Sequence, residues 1–153
     1  MNNENLEDYA VRIVKELRDR GDLIASFFLC STFVEHYCKT KLKIFIRTNR
    51  PAELIEVEVK RTKERRKAFI YERLDKWIDN RIQGLIIELG LLVGAWNKEL
   101  YNHLTRFNKE RNDLAHEYEN LLQILDHKDE KKVRSAIDRG LSLLHDIKRG
   151  YVS

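Results

Sequence analysis

Apolar positions recur every three or four residues along most of the chain, the spacing of one face of an α-helix. Leu6, Tyr9, Ala10, Ile13, Val14 and Leu17 predict a first helix over about residues 5–18. Arg20-Gly21-Asp22 ends it, with Asp22 suited to cap the next helix. A second helix is predicted over about residues 23–47. Ile24, Phe27, Phe28, Leu29 and Phe33 make its first half apolar on most sides, the mark of a central helix, whereas its second half turns basic. Thr48-Asn49-Arg50-Pro51 is the strongest break in the sequence. Leu54-Ile55-Glu56-Val57-Glu58-Val59 alternates in part as a strand would, but a lone strand has no partner. Residues 52–66 are therefore expected to form a short helix or an ordered arm. A third helix over about residues 66–89 follows from Phe69, Ile70, Leu74, Trp77, Ile78, Ile82, Leu85 and Leu89, and Gly90 and Gly94 mark a turn. A fourth is predicted over about residues 96–118. After a loop near residues 126–129, Val133, Ile137, Leu141, Leu144 and Ile147 predict a fifth over about residues 130–149. No repeat, low-complexity tract or domain boundary interrupts the series. The expected fold is all-α, an up-and-down four/five-helix bundle in a single domain spanning residues 1–153.

Composition narrows the class without changing that picture. At 153 residues and 42% apolar content the chain can bury a substantial core. One proline and two cysteines argue against a loop-rich or disulfide-stapled scaffold. Gly84 to Trp96 is the longest near-apolar run, too short to span a membrane and interrupted by Glu88. The polar, acidic start reads as no targeting peptide, so a cytoplasmic protein without a membrane partner is expected.

Charge is uneven. Lys39 to Arg73 holds 12 basic and 5 acidic residues, a net +7 on a chain of net +4. A basic middle can attract RNA or DNA. It is equally what a solvated helix face with i,i+4 pairs such as Lys60–Glu64 looks like.

The fourth helix carries the candidate chemistry. Leu100, Leu104, Phe107, Arg111, Leu114 and Tyr118 follow a core-type spacing, so Arg111 stands where an apolar residue is expected. A guanidinium there must be paired, with Glu88 or Glu35 as candidates, or must reach a wet cleft. Asn108, Asn112 and His116 repeat every four residues on the neighbouring face. Histidine moves protons near neutral pH, arginine clamps phosphate oxygens and asparagine orients either. Together they suit phosphodiester cleavage without a metal, or else a structural Asn–His pair beside a buried ion pair. Five residues turn a helix by about 500°, so Arg111 and His116 point about 140° apart. They converge only if the helix loosens, if Arg111 bends round, or if two subunits contribute.

The stretch Arg111-Asn112-Asp-Leu-Ala-His116-Glu-Tyr118 resembles the signature of the HEPN superfamily, an Arg followed by a polar residue and a His four to six residues on. Its trailing tyrosine is similar to the R-x4-H-x-Y form of HEPN toxins. The Gly90-Leu-Leu-Val-Gly94 turn and Phe33-Val-Glu-His-Tyr-Cys-Lys39 also look like the family. The resemblance implies a HEPN-like bundle, commonly a homodimer with a shared Arg/His cleft. It implies a metal-independent endoribonuclease in toxin–antitoxin, defence or RNA-processing systems. His116 would be the acid/base, Arg111 would stabilise the phosphorane-like transition state, and Asn112 would orient one of them or the phosphate. The products would be a 2′,3′-cyclic phosphate and a 5′-hydroxyl. Tyr118 would be a candidate for modification by a nucleotidyltransferase-type antitoxin, or else a packed core tyrosine. Lys60, Arg61, Lys63, Arg65, Arg66 and Lys67 would bind the RNA partner. Some family members are non-catalytic nucleotide- or RNA-binding or protein-interaction modules, which is the alternative. The segment after Pro51 has no counterpart in the family pattern.

No cofactor or resident metal is expected. Cys30 and Cys38 lie eight residues apart near Glu35 and His36, but they form no zinc-type spacing and are read as reduced, packed thiols. No nucleotide-binding or nucleophile-elbow motif occurs. Trp77 and Trp96 are expected as core or interface anchors.

Overall fold

The computed structural model describes residues 6–49, 56–61, 64–117 and 127–148, with side chains over residues 8–49, 73–116 and 130–147. Six helices and one hairpin follow in the order α1 (Leu6–Asp19), α2 (Leu23–Asn49), β1 (Glu56–Arg61), β2 (Glu64–Phe69), α3 (Ile70–Asp79), α4 (Gln83–Val93), α5 (Lys98–Glu117) and α6 (His127–Lys148). The packed body is all-α. No described helix is long and apolar enough to cross a membrane.

The expected central role of α2 is observed: it touches all five other helices. Phe27, Cys30, Val34, Cys38 and Leu42 carry its buried face from one end of the bundle to the other. Gly21, at φ +87°, reverses the chain between α1 and α2, and its amide donates to Arg18 O while Asp22 N donates to Leu17 O. These bonds satisfy carbonyls that the end of a helix leaves open. Ser26 then ties α2 to α1 by donating its buried hydroxyl to Val14 O at 2.8 Å.

Two expectations are corrected. The first is the short helix or ordered arm over residues 52–66. Antiparallel β1 and β2 pair instead, with Glu56 opposite Phe69, Glu58 opposite Lys67 and Lys60 opposite Arg65. The missing partner strand straddled the boundary at Arg66 between that arm and the expected third helix. That assignment failed because Glu64-Arg-Arg-Lys-Ala-Phe69 carries charge at consecutive positions and shows neither helical nor strand periodicity. The second correction is the single helix over residues 66–89. It is two helices, α3 and α4, parted at Asn80–Ile82 without a glycine or proline. Asn80 Nδ2 donates to Lys76 O at 2.7 Å and Arg81 N to Ile78 O at 3.1 Å, closing α3. Beyond that break the old stripe leaves the core, so Ile82 and Leu85 are exposed while Gln83, Ile86, Ile87 and Gly90 face inward.

The turn into α5 is built on close packing. Gly94, at φ +82°, caps α4 through bonds to Gly90 O and Leu91 O. The Trp96 indole lies across Gly90, where an added Cβ would stand 1.8 Å from the ring, and its Nε1 donates to Ile87 O at 2.9 Å. Trp96 is thus a core anchor, as expected, whereas Trp77 is 38% exposed. The same device brings α6 against α2 and α5: a Cβ on Gly140 would lie 2.5 Å from Cys30 Sγ and 2.8 Å from the Phe107 ring. Gly140→Ala should destabilise the fold by about 1–3 kcal/mol through overpacking, despite alanine's better helix propensity. Urea unfolding measures this, and an unchanged or raised midpoint would show that the three helices can part without cost.

Candidate functional site

Asn97 starts α5 by accepting the Leu100 amide on its Oδ1 at 2.9 Å. This cap on the third helical residue fixes where the helix begins and so the phase of every side chain along it. Leu104, Phe107 and Leu114 are buried, as their spacing predicts. On the side toward α6, Glu110 Oε1 pairs with Arg139 Nη2 at 2.6 Å. The opposite side of α5 borders α4 and α2, and there the candidate site lies.

Arg111 occupies the edge of the core rather than its interior, with 39% of its side chain exposed. Of the two acids expected to pair with it, Glu35 is the one it reaches, Nη2 to Oε2 at 3.9 Å. Glu35 makes its short contact elsewhere, to Lys39 Nζ at 2.8 Å. An ion pair this long and this wet contributes about 0–1 kcal/mol. Arg111 is therefore held in place weakly and remains at a solvent-reachable edge. Beside it a void of about 10 Å³ is bounded by Ser31, Glu35, Gln83, Asn108 and Arg111.

Asn112 and His116 are both exposed on α5, four residues apart on one face. No hydrogen bond joins them to each other or to Arg111 among the described residues, so the structural Asn–His pair does not form. α5 is continuous α-helix from Lys98 to Glu117. This removes the loosened helix as a route to convergence and leaves the bending of Arg111 or a second subunit. Tyr118 lies outside the described residues.

Gln83 is the residue the sequence reading missed. It opens the apolar helix α4, three residues before Ile86, so its helical phase was the available signal. Its side chain is 7% exposed, and neither amide atom has a hydrogen bond of normal geometry. Its polar neighbour is the Cys38 thiol, a weak partner. A buried amide left unpaired costs about 1–3 kcal/mol.

The basic residues divide into two sets. On α2, Lys39 bonds Glu35, Lys43 bonds Asp79 and Arg47 bonds Asp75, so these cations clamp α2 to its own acid and to α3. Lys60, Arg61, Arg65, Arg66 and Lys67 instead occupy register positions on the hairpin, whose element contacts, apart from the weakest, are with itself and α3. Lys63 lies outside the described residues. No three metal-ligating side chains cluster among the described residues. Cys30 and Cys38 are free and buried, and burial pushes each thiol up to about 12, for Cys38 against an opposing pull from Gln83. Comparison with protein-family models, curated proteins and solved structures returns no match.

Two predictions follow from the buried groups around the site. Gln83→Met should raise stability by about 1 kcal/mol, since it keeps the volume and removes an unpaired amide. A lowered melting temperature would show that the amide is bonded. The raised thiol pKa values mean that both cysteines keep their protons in the folded state where the unfolded chain, near pKa 8.5, loses them. Their contribution to stability is complete below about pH 8 and is lost as pH climbs toward about 12. A thiol reagent at pH 8 should label neither cysteine until denaturant is added; rapid labelling of the native protein would contradict the burial.

Proposed function

We propose that the protein is a metal-independent endoribonuclease of HEPN type that cleaves RNA at a site composed across a homodimer. The observation that carries this reading is the state of Arg111, Asn112 and His116. These three residues carry the chemistry of the R-x4-H motif. Among the described residues two of them are exposed without a structural bond, and the third is tied by a single 3.9 Å contact. Residues kept for the fold are ordinarily satisfied by it, as Glu110 and Arg139 are here.

In this mechanism His116 takes the proton of the 2′-hydroxyl as its oxygen attacks the adjacent phosphorus. Arg111 of the facing subunit stabilises the added negative charge on the phosphorane. Asn112 orients the phosphate or the imidazole. The bond from phosphorus to the 5′-oxygen breaks as His116 returns that proton to the leaving oxygen, giving a 2′,3′-cyclic phosphate and a 5′-hydroxyl end. The basic hairpin supplies the long-range attraction for the RNA backbone. A toxin role with a nucleotidyltransferase-type antitoxin acting on Tyr118 is one setting for this activity; defence and RNA processing are the others.

The separation of Arg111 and His116 on a continuous α5 favours one second reading, a non-catalytic RNA- or nucleotide-binding module in which the two never meet. The two readings part on cleavage. Wild-type protein in excess EDTA should cleave mixed RNA and leave cyclic phosphate ends. His116→Ala and Arg111→Ala should each lose about 10²-fold or more in rate with melting temperatures unchanged. Binding without products selects the second reading, and equal cleavage by wild type and His116→Ala removes the motif from the mechanism.

A further inference from the structure

An open groove of about 1080 Å³ lies away from α5, between the end of α2, the length of α3 and the end of α4. Phe45, Ile46, Leu74, Leu89, Leu92 and Val93 line it. Leu92 is 83% exposed, so this apolar surface faces water. An uncovered apolar concavity of this size is unusual on a soluble domain and marks a binding surface.

The rim says what kind of partner fits. Arg73, Trp77 and Arg81 follow one another at four-residue intervals along α3 and the turn after it. Trp77 and Arg73 line the groove, and the Arg81 guanidinium sits 4.8 Å from the centroid of the Trp77 ring. Arg73 forms no ion pair among the described residues. Its α2 neighbour Arg47 is neutralised by Asp75, and Lys43 by Asp79. Among the described residues Arg73 is thus a rim cation without an ion pair, the hairpin strands carry five basic against three acidic residues, and β2 runs without a break from Phe69 into Ile70 of α3. Cations at the entrance, an indole in the wall and an apolar floor match an anionic chain that carries flat aromatic groups.

We infer that this groove binds an unpaired nucleobase of single-stranded RNA, stacked on Trp77, with its flanking phosphates held by Arg73 and the basic hairpin. The inference rests on the RNA reading above and adds a subsite remote from Arg111 and His116. A paired duplex cannot fill the groove, because its bases are already stacked. A second copy of the chain fits less well: a two-fold contact through this face would set Arg73 and Arg81 of the two copies against each other.

The test uses the full chain carrying His116→Ala, so that RNA survives the measurement. A short labelled single-stranded RNA is compared with the same oligonucleotide made abasic, which keeps the phosphates and removes the bases. Trp77→Ala should weaken binding of the intact RNA about tenfold, the loss of one base–aromatic stack, and leave the abasic strand unchanged. Trp77→Phe should retain most of the affinity, which separates stacking from misfolding. Arg73→Glu with Lys60→Glu and Arg65→Glu should weaken both strands and flatten the salt dependence. Equal loss on both strands in Trp77→Ala overturns the subsite, as does a switch from dimer to monomer with RNA affinity intact. Failure of the parent chain to bind either strand overturns the RNA reading itself.

Discussion

The roll of α5 about its own axis is the constraint on which the candidate site depends, and Gly140 is where that roll is set. A side chain there would collide with Cys30 Sγ and the Phe107 ring, so its absence lets α2, α5 and α6 meet at one point. The Phe27 and Phe107 rings then pack at 5.6 Å between centroids. With Phe107 held against α2 and Glu110 clamped to Arg139, α5 cannot rotate without breaking either the core or the ion pair. That phase puts Leu104 and Leu114 inside, Asn112 and His116 outside, and Arg111 on the boundary. A rotation of one residue, about 100°, would bury a different member of the motif.

Charge is sorted by the same economy of contacts. Lys39, Lys43 and Arg47 of α2 are used structurally, against Glu35, Asp79 and Asp75, the last two beside the buried Ile78 that α3 sends into the core. On the hairpin, Arg61 stands opposite Glu64 and Lys67 opposite Glu58, and one pair is of like charge. Lys60 stands opposite Arg65, and like charges at opposed positions destabilise a strand pair. A two-stranded hairpin is marginal in water even without that repulsion. A polyanion bound along it would relieve the repulsion at that pair, which is the physical ground for placing the proposed RNA contact there.

Four of the six helices, α1, α2, α5 and α6, were legible in the sequence to within about three residues, because each buries one stripe of its own surface and the stripe shows as spacing. The hairpin was not, because it shares little contact with the core and burial imposes no period on it. The break at Asn80–Ile82 was not, because the apolar spacing runs on through Ile82 and Leu85 although the helix does not. Within the site, the misfit of Arg111 and its candidate partner Glu35 could be read from spacing alone. Gln83 was missed although its phase, three residues before Ile86, was readable, because one amide at the start of an apolar helix looks like a solvated first turn. The groove depends on α3 and α4 being separate helices, so it could not be foreseen while they were read as one.

The continuous α5 also bears on how the proposed activity would be controlled. Arg111 and His116 of one chain face about 140° apart, and nothing in the helix relaxes that angle. If both must act on the same phosphate and Arg111 does not bend round, the catalytic unit is two chains, and the fraction of active enzyme rises with association. A monomer would still present the hairpin and the groove, so it would bind RNA without cutting it. Binding and cleavage would then be separable by concentration alone, and any partner that covered the exposed face of α5 would silence the second while leaving the first intact.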